Sequence, residues 1–129
     1  MNLPELKIGK LVAQVPIIQG GMAIRLSTAP LAAAVANEGG IGLIAASGMG
    51  LDELRKEIRM ARELTGGKGI IGINAMVAAR QFLDLITTAA EEGIDLIVAG
   101  AGFSRDIFAV GKKYGVEVVP IVSSARLAQ

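Results

Sequence analysis

Gly69-Ile70-Ile71-Gly72-Ile73-Asn74-Ala75-Met76 is the stretch on which the fold turns. It is too short for a stable helix, rich in isoleucine and opened by glycine, which marks it as a strand. It does not alternate apolar with polar residues. A strand apolar on both sides is buried on both sides, as in a parallel sheet covered by helices. Runs of the same kind stand on either side of it at Pro16–Gly20, Ile41–Ala46, Asp95–Gly100 and Glu117–Val122. They recur roughly every 25 residues, close to the length of one βα unit.

The segments between the runs carry helical periodicity. Ser27 or Thr28 is placed to cap the first helix, with Pro30 in its first turn and Gly39-Gly40 at its end; proline costs little there, and glycine stops a helix. Leu51, Leu54, Ile58 and Ala61 form the apolar stripe of the second helix. Its other positions hold Asp52, Glu53, Arg55, Lys56, Glu57 and Arg59, which read as a solvated face. A third helix packs Phe82, Leu85, Ile86 and Ala89 and closes at Gly93. A fourth begins near Ser104 and ends at Tyr114-Gly115. A fifth begins at Ser124 and has hardly completed a turn at Gln129. No Gly, Asn or Pro stop follows Leu127, so residues 1–129 are expected to form one partial domain of a longer parent.

Two α/β architectures fit this rhythm. One is an open, flavodoxin-like parallel sheet, which can be complete at this length. The other is the N-terminal portion, about five βα units, of a (βα)8 TIM barrel of about 250 residues. Both deliver functional groups to the C-terminal ends of the strands.

Composition narrows the chemistry. The 129 residues include no Cys and no His, and the formal net charge is +1. Disulfides, thiolate metal sites, cysteine nucleophiles and histidine bases are therefore excluded. With no basic cluster interleaved with aromatics, a nucleic-acid partner is not expected. The mean hydropathy is +0.54, yet Gly, Pro or charge interrupts every apolar run well short of the roughly 20 residues a spanning helix needs. No signal-peptide pattern opens the chain. A cytoplasmic location and no membrane partner are the expectation. No carboxylate pair ends a strand, no carboxylates cluster as metal ligands, and Gly66-Gly67-Lys68 lacks the spacing of a phosphate-binding loop.

The strand tips hold the candidate site. Gln19-Gly20-Gly21-Met22 follows the first run; paired glycines let a flat ligand approach the backbone, or form a plain turn. Ala46-Ser47-Gly48-Met49-Gly50 follows the second. Met22 and Met49 are candidates to cover an apolar ligand or to pack in the core. Asn74 stands alone as a polar residue in an apolar strand, where an amide needs partners. It suits the polar edge of a flavin, a ribityl hydroxyl or a phosphate oxygen, or a cap on the next helix. Ala99-Gly100-Ala101-Gly102 lacks the third glycine of a dinucleotide fingerprint. Ser123 and Ser124 line a site or cap the last helix, the cap being favoured.

These stretches together resemble the nitronate monooxygenases (formerly 2-nitropropane dioxygenases) and their relatives, the FMN-dependent enoyl-ACP reductases. Residues 16–22 are similar to the family's opening strand and turn, and residues 31–42 to its first helix and second strand. Gly72-Ile73-Asn74 is similar to its Gly-Val-Asn motif, and residues 99–102 and 118–123 to its fourth and fifth strands. The resemblance implies a (βα)8 barrel with FMN at its C-terminal mouth. It places Gly21, Met22 and Ala23 against the flavin, Asn74 in hydrogen bonds to it, and Gly100 where ring or substrate comes close. It implies oxidative denitrification of alkyl nitronates or reduction of an enoyl thioester, on a small-molecule substrate. The family's catalytic His lies in a Gly-Gly-His segment after the sixth strand. No residue of this chain is assigned a catalytic role or a metal, and the isolated chain is expected to be inactive. Phe103-Ser104 stands where many relatives have Asn-Pro. A non-catalytic half-barrel is the other expectation: open sheet edges that pair with a second copy or a complementary half.

Overall fold

The computed structural model describes residues 2–129. An antiparallel hairpin, β1 (Leu6–Ile8) and β2 (Leu11–Ala13), comes first. Then follow α1 (Ala29–Asn37), β3 (Ile41–Ala45), α2 (Leu51–Leu64), β4 (Ile70–Met76), α3 (Phe82–Glu91), β5 (Leu96–Gly100), α4 (Asp106–Tyr114) and β6 (Glu117–Pro120). A 3-10 turn, Ala125–Ala128, closes the chain, and Ser124 Oγ accepts a 3.4 Å bond from Leu127 N, the favoured cap.

Strands β3 to β6 form one parallel sheet in the order β3-β4-β5-β6. Spatial order equals chain order. An open doubly wound sheet reverses direction at a switch point; here every crossover steps the same way, so the flavodoxin-like alternative is set aside. Successive helices touch one another in turn, α1 on α2, α2 on α3, α3 on α4, and so make one layer outside the sheet. The chain is a sector of a (βα)8 barrel.

The two faces of the sheet divide the apolar residues. Ile44, Ile71, Ile73, Ala75, Ile97 and Ala99 point outward into the helices. Ile41, Leu43, Leu96 and Val98 point inward, and the hairpin packs on them through Leu6, Ile8, Leu11 and Ala13. Burying each large aliphatic side chain contributes about 1.5–3 kcal/mol. Helix α1 is built of alanines, with Ala29, Ala32, Ala33 and Ala36 buried. It lies so close to the sheet that a methyl group on Gly42 would overlap the Ala32 carbonyl.

The hairpin adds to the sequence expectation, whose first apolar run begins at Pro16. Gly9, with φ +55°, and Lys10 form its two-residue turn. The Lys10 N–H donates to Glu117 Oε1 at 3.1 Å, and Lys10 Nζ donates to the Gly115 carbonyl. The hairpin thereby crosses the floor of the inner face from β3 to β6.

The run Pro16–Gly20 lies beside β3, as expected, but it makes a single bridge, Ile18 to Ile41, rather than a full strand. The charged face of α2 is only partly solvated. Glu57 Oε2 accepts the Ala29 N–H at the start of α1, at 2.7 Å. Arg55 and Arg59 reach across to Glu91 and Glu92 at the end of α3.

Gly42→Ala is expected to lower stability by about 2–3 kcal/mol through forced separation of α1 from the sheet, read as a lower urea midpoint. Gly50→Ser, where a side chain meets nothing within 4 Å, should leave the midpoint unchanged or slightly raised. Hydrogen bonds from Arg59, then Arg55, hold the Glu92 carboxyl below the usual carboxylate range. A lowered folded value stabilises above the ordinary value and is lost as pH falls through it. Thermal melts should find Glu92→Gln less stable at neutral pH, with the difference closing in acid below the ordinary carboxylate range.

Candidate functional site

The C-terminal ends of β3 to β6 share one rim because the strands are parallel. Hydrogen bonds between neighbouring tips hold it together. Ala46 N donates to the Asn74 carbonyl at 2.9 Å, Val77 N to the Gly100 carbonyl at 2.8 Å and Ile121 N to the Ala99 carbonyl at 2.8 Å. Ser47 Oγ accepts the Met76 N–H at 2.8 Å.

Strand alternation puts Asn74 and Met76 on the inner face beyond the hairpin floor. Asn74 is half-buried, and its side chain makes no hydrogen bond among the described residues. It does not cap α3, which begins at Phe82 after Gln81. Its amide atoms are not shut off from solvent, so they keep their donors and acceptor free for a ligand.

The loop after Gln19 lies against Asn74. A Cβ on Gly21 would stand 2.5 Å from Asn74 Cβ and 3.4 Å from its Nδ2. Glycine is required here by close approach rather than by turn geometry. Around Gly20 the corresponding space is open. The N–H groups of Gly20 and Gly21 have no acceptor among the described residues, whereas the Met22 N–H donates to Ser27 Oγ at 2.8 Å. Met22 and Met76 are 48 % and 46 % exposed, so thioether carbon borders the polar groups.

Gly21 and Asn74 are therefore brought into contact, with Met22 and the exposed Ala23 following along the same loop. Gly100 is paired in register with Met76. Its bare side is not open: Ile121 Cδ1 would lie 3.1 Å from a Cβ there, and Ile121 is 56 % exposed. Met49 is a core residue, 5 % exposed under the helices, so the core reading holds for it and not for Met22.

Gln19 and Ser27 are the organising residues that sequence reasoning undervalued. Ser27 is fully buried and does not cap α1; its hydroxyl faces the loop instead. The spacing of a Gln before paired glycines and a Ser eight residues after that Gln was the available signal. Arg25 forms a two-pronged pair with Glu53, at 2.9 and 3.1 Å, which ties the loop to the first turn of α2 and holds the Glu53 carboxyl low.

An apolar groove of about 530 Å³ lies to one side, lined by Phe103, Phe108, Pro120, Val122 and Leu127. Among the described residues no group of His, Cys, Asp and Glu is arranged to hold a metal. None of the helices there is long and apolar enough to cross a membrane.

A barrel sector with glycine, an amide and exposed thioethers at its C-terminal rim has the ligand-facing mouth that βα barrels use. The match to known proteins specifies the class. The nitronate monooxygenase model matches residues 5–127, and the chain belongs to that family. Members are flavin oxidoreductases, in general dependent on FMN. FabK from Thermotoga maritima is 36 % identical with a TM-score of 0.81, the match covering 88 % of this chain and 35 % of that one. A nitroalkane oxidase from Streptomyces ansochromogenes superposes with a TM-score of 0.72 at 22 % identity, over 84 % of this chain and 40 % of that one, a likeness of fold. A Mycobacterium tuberculosis protein named (3aS,4S,5R,7aS)-5-hydroxy-7a-methyl-1-oxo-octahydro-1H-indene-4-carboxyl-CoA dehydrogenase is 29 % identical over 114 residues, 88 % of this chain and 31 % of that protein. The chain thus spans about a third of the length of these relatives.

Gly21→Ala should push the loop off Asn74 and cost about 1–3 kcal/mol, with faster amide exchange at residues 20–26. Gly20→Ala should change neither quantity.

Proposed function

We propose that this chain supplies the first part of a flavin cup. The Asn74 amide and the Gly20 and Gly21 N–H groups would meet the polar edge of the FMN ring, and Met22, Ala23 and Met76 would border its flat face. The observation that carries this reading is the unpartnered Asn74 amide in contact with Gly21 on the inner face of the sheet. Bound FMN would supply the electron transfer. The residues of this chain would bind it, orient it and keep water from one side. Ile121, over Gly100, would border the space left for substrate.

For the whole enzyme we propose oxidation of alkyl nitronates with oxygen as acceptor, after the family's description. A second reading is an acyl-thioester substrate, including enoyl-ACP reduction with NAD(P)H, favoured by the CoA-thioester substrate in the name of the mycobacterial relative. A third is a half-barrel that pairs with a second copy or with a complementary half, favoured by the apolar groove beside β6 and the 56 % exposure of Ile121.

FMN titration into the purified chain, followed by flavin fluorescence, tests the cup. Binding is expected, and Asn74→Ala should weaken it about tenfold, the worth of one or two hydrogen bonds. Failure of the folded chain to bind FMN, together with concentration-dependent dimerisation, would favour the pairing reading. Turnover of an alkyl nitronate with oxygen, against that of an enoyl thioester with NAD(P)H, separates the substrate classes in a protein of the relatives' length.

A further inference from the structure

We infer that Gln19 and Ser27 are a positioning pair: they end the pairing of residues 16–20 with β3 early and set the height of the Gly20-Gly21-Met22 backbone above the sheet. The inference rests on the flavin reading, which it deepens by naming the residues that shape the cup without touching its content.

The ladder between residues 16–20 and β3 is interrupted in one place. Ile41 N donates to the Ile17 carbonyl at 2.9 Å, and Gln19 N donates to the Ile41 carbonyl at 3.0 Å. The next parallel rung would take Leu43 N to the main-chain carbonyl of Gln19. Instead Leu43 N donates to the Gln19 side-chain Oε1 at 3.0 Å. The side chain fills the rung, so the main chain is free to leave the sheet at Gly20 with no buried donor abandoned.

The other end of the same amide closes the loop. Gln19 Nε2 donates to Ser27 Oγ at 2.9 Å and to the Gly20 carbonyl. Ser27 Oγ also accepts the Met22 N–H at 2.8 Å and faces the Gly20 carbonyl at 3.3 Å. A hydroxyl offers two acceptor sites and one donor; all three are used, in a side chain with no solvent exposure. Ser27 is anchored in turn by its backbone. Its N–H donates to the Met22 carbonyl at 3.0 Å, and its carbonyl accepts Ala45 N at 2.9 Å. The loop therefore hangs from two successive edge-side rungs of β3, Leu43 through Gln19 and Ala45 through Ser27. That suspension leaves the Gly20 and Gly21 N–H groups unengaged while Met22 N is tied down.

The test compares Ser27→Ala, Gln19→Ala and Gln19→Glu with the native chain. Thermal melts, FMN affinity, the visible circular dichroism of bound flavin and exchange of the Met22 amide are measured. In Ser27→Ala the Met22 amide should lose protection, FMN should bind about tenfold more weakly and the flavin dichroism should change, while the melt stays cooperative. Gln19→Glu keeps an acceptor for Leu43 N but has a donor for Ser27 only when protonated. Its FMN affinity should approach native as pH falls through the carboxylate range, a rescue that general destabilisation would not produce. Should Gln19→Ala fail to fold, Gln19→Glu carries the test. Folded variants that keep a protected Met22 amide, native FMN affinity and native dichroism would overturn the positioning role. A native chain that protects Met22 but binds no FMN would refute the flavin reading and leave the loop suspension standing.

Discussion

Parallel pairing of β3 to β6 in chain order is the constraint from which the rest follows. Parallel neighbours need a crossover, and crossovers that all step the same way put every helix on one side. The other side must then be covered by something else. The hairpin covers its floor, and the upper part carries Asn74, Met76 and the glycine loop. A rim shared by all the strand tips is thus a by-product of topology. Gly42 and Gly21 mark two places where backbone or side chain of another element comes too close to admit a Cβ.

The parallel core was legible because burial on both faces removes alternation. Ile41, Leu43 and Ile44 stand almost side by side in the sequence yet pack into two different clusters. The hairpin was not legible, because Leu6-Lys7-Ile8 and Leu11-Val12-Ala13 are too short to stand out, and their pairing is stabilised by the floor of a sheet formed far along the chain. The charges of α2 were read as solvated. Periodicity shows which residues face away from the core but not that α3 presents Glu91 and Glu92 to Arg55 and Arg59.

In the site, Asn74 was identifiable as an isolated polar residue in an apolar run, and Gly21 as part of a glycine pair. Their contact was not, since it joins residues 53 positions apart through the pleat of β4. Ser27 was mistaken in part for a helix cap because Ser before a helix ordinarily serves that purpose. Its hydroxyl is saturated by the loop, and Thr28 holds the cap position without a side-chain bond. Gly100 is where the family resemblance puts ring or substrate, and Ile121, just past β6, stands over it, a neighbour that its sequence position does not reveal.

The turn of the hairpin, at Gly9-Lys10, clasps Glu117 and Gly115, more than a hundred residues later in the chain. Such a contact closes a very long loop, and its entropic cost is met only after the intervening strands have paired. On a ribosome the hairpin emerges before β6 and must wait, undocked at one end, until β6 has left the exit tunnel. The clasp is therefore a late event in assembly, and it registers that the sheet has reached its fourth parallel strand.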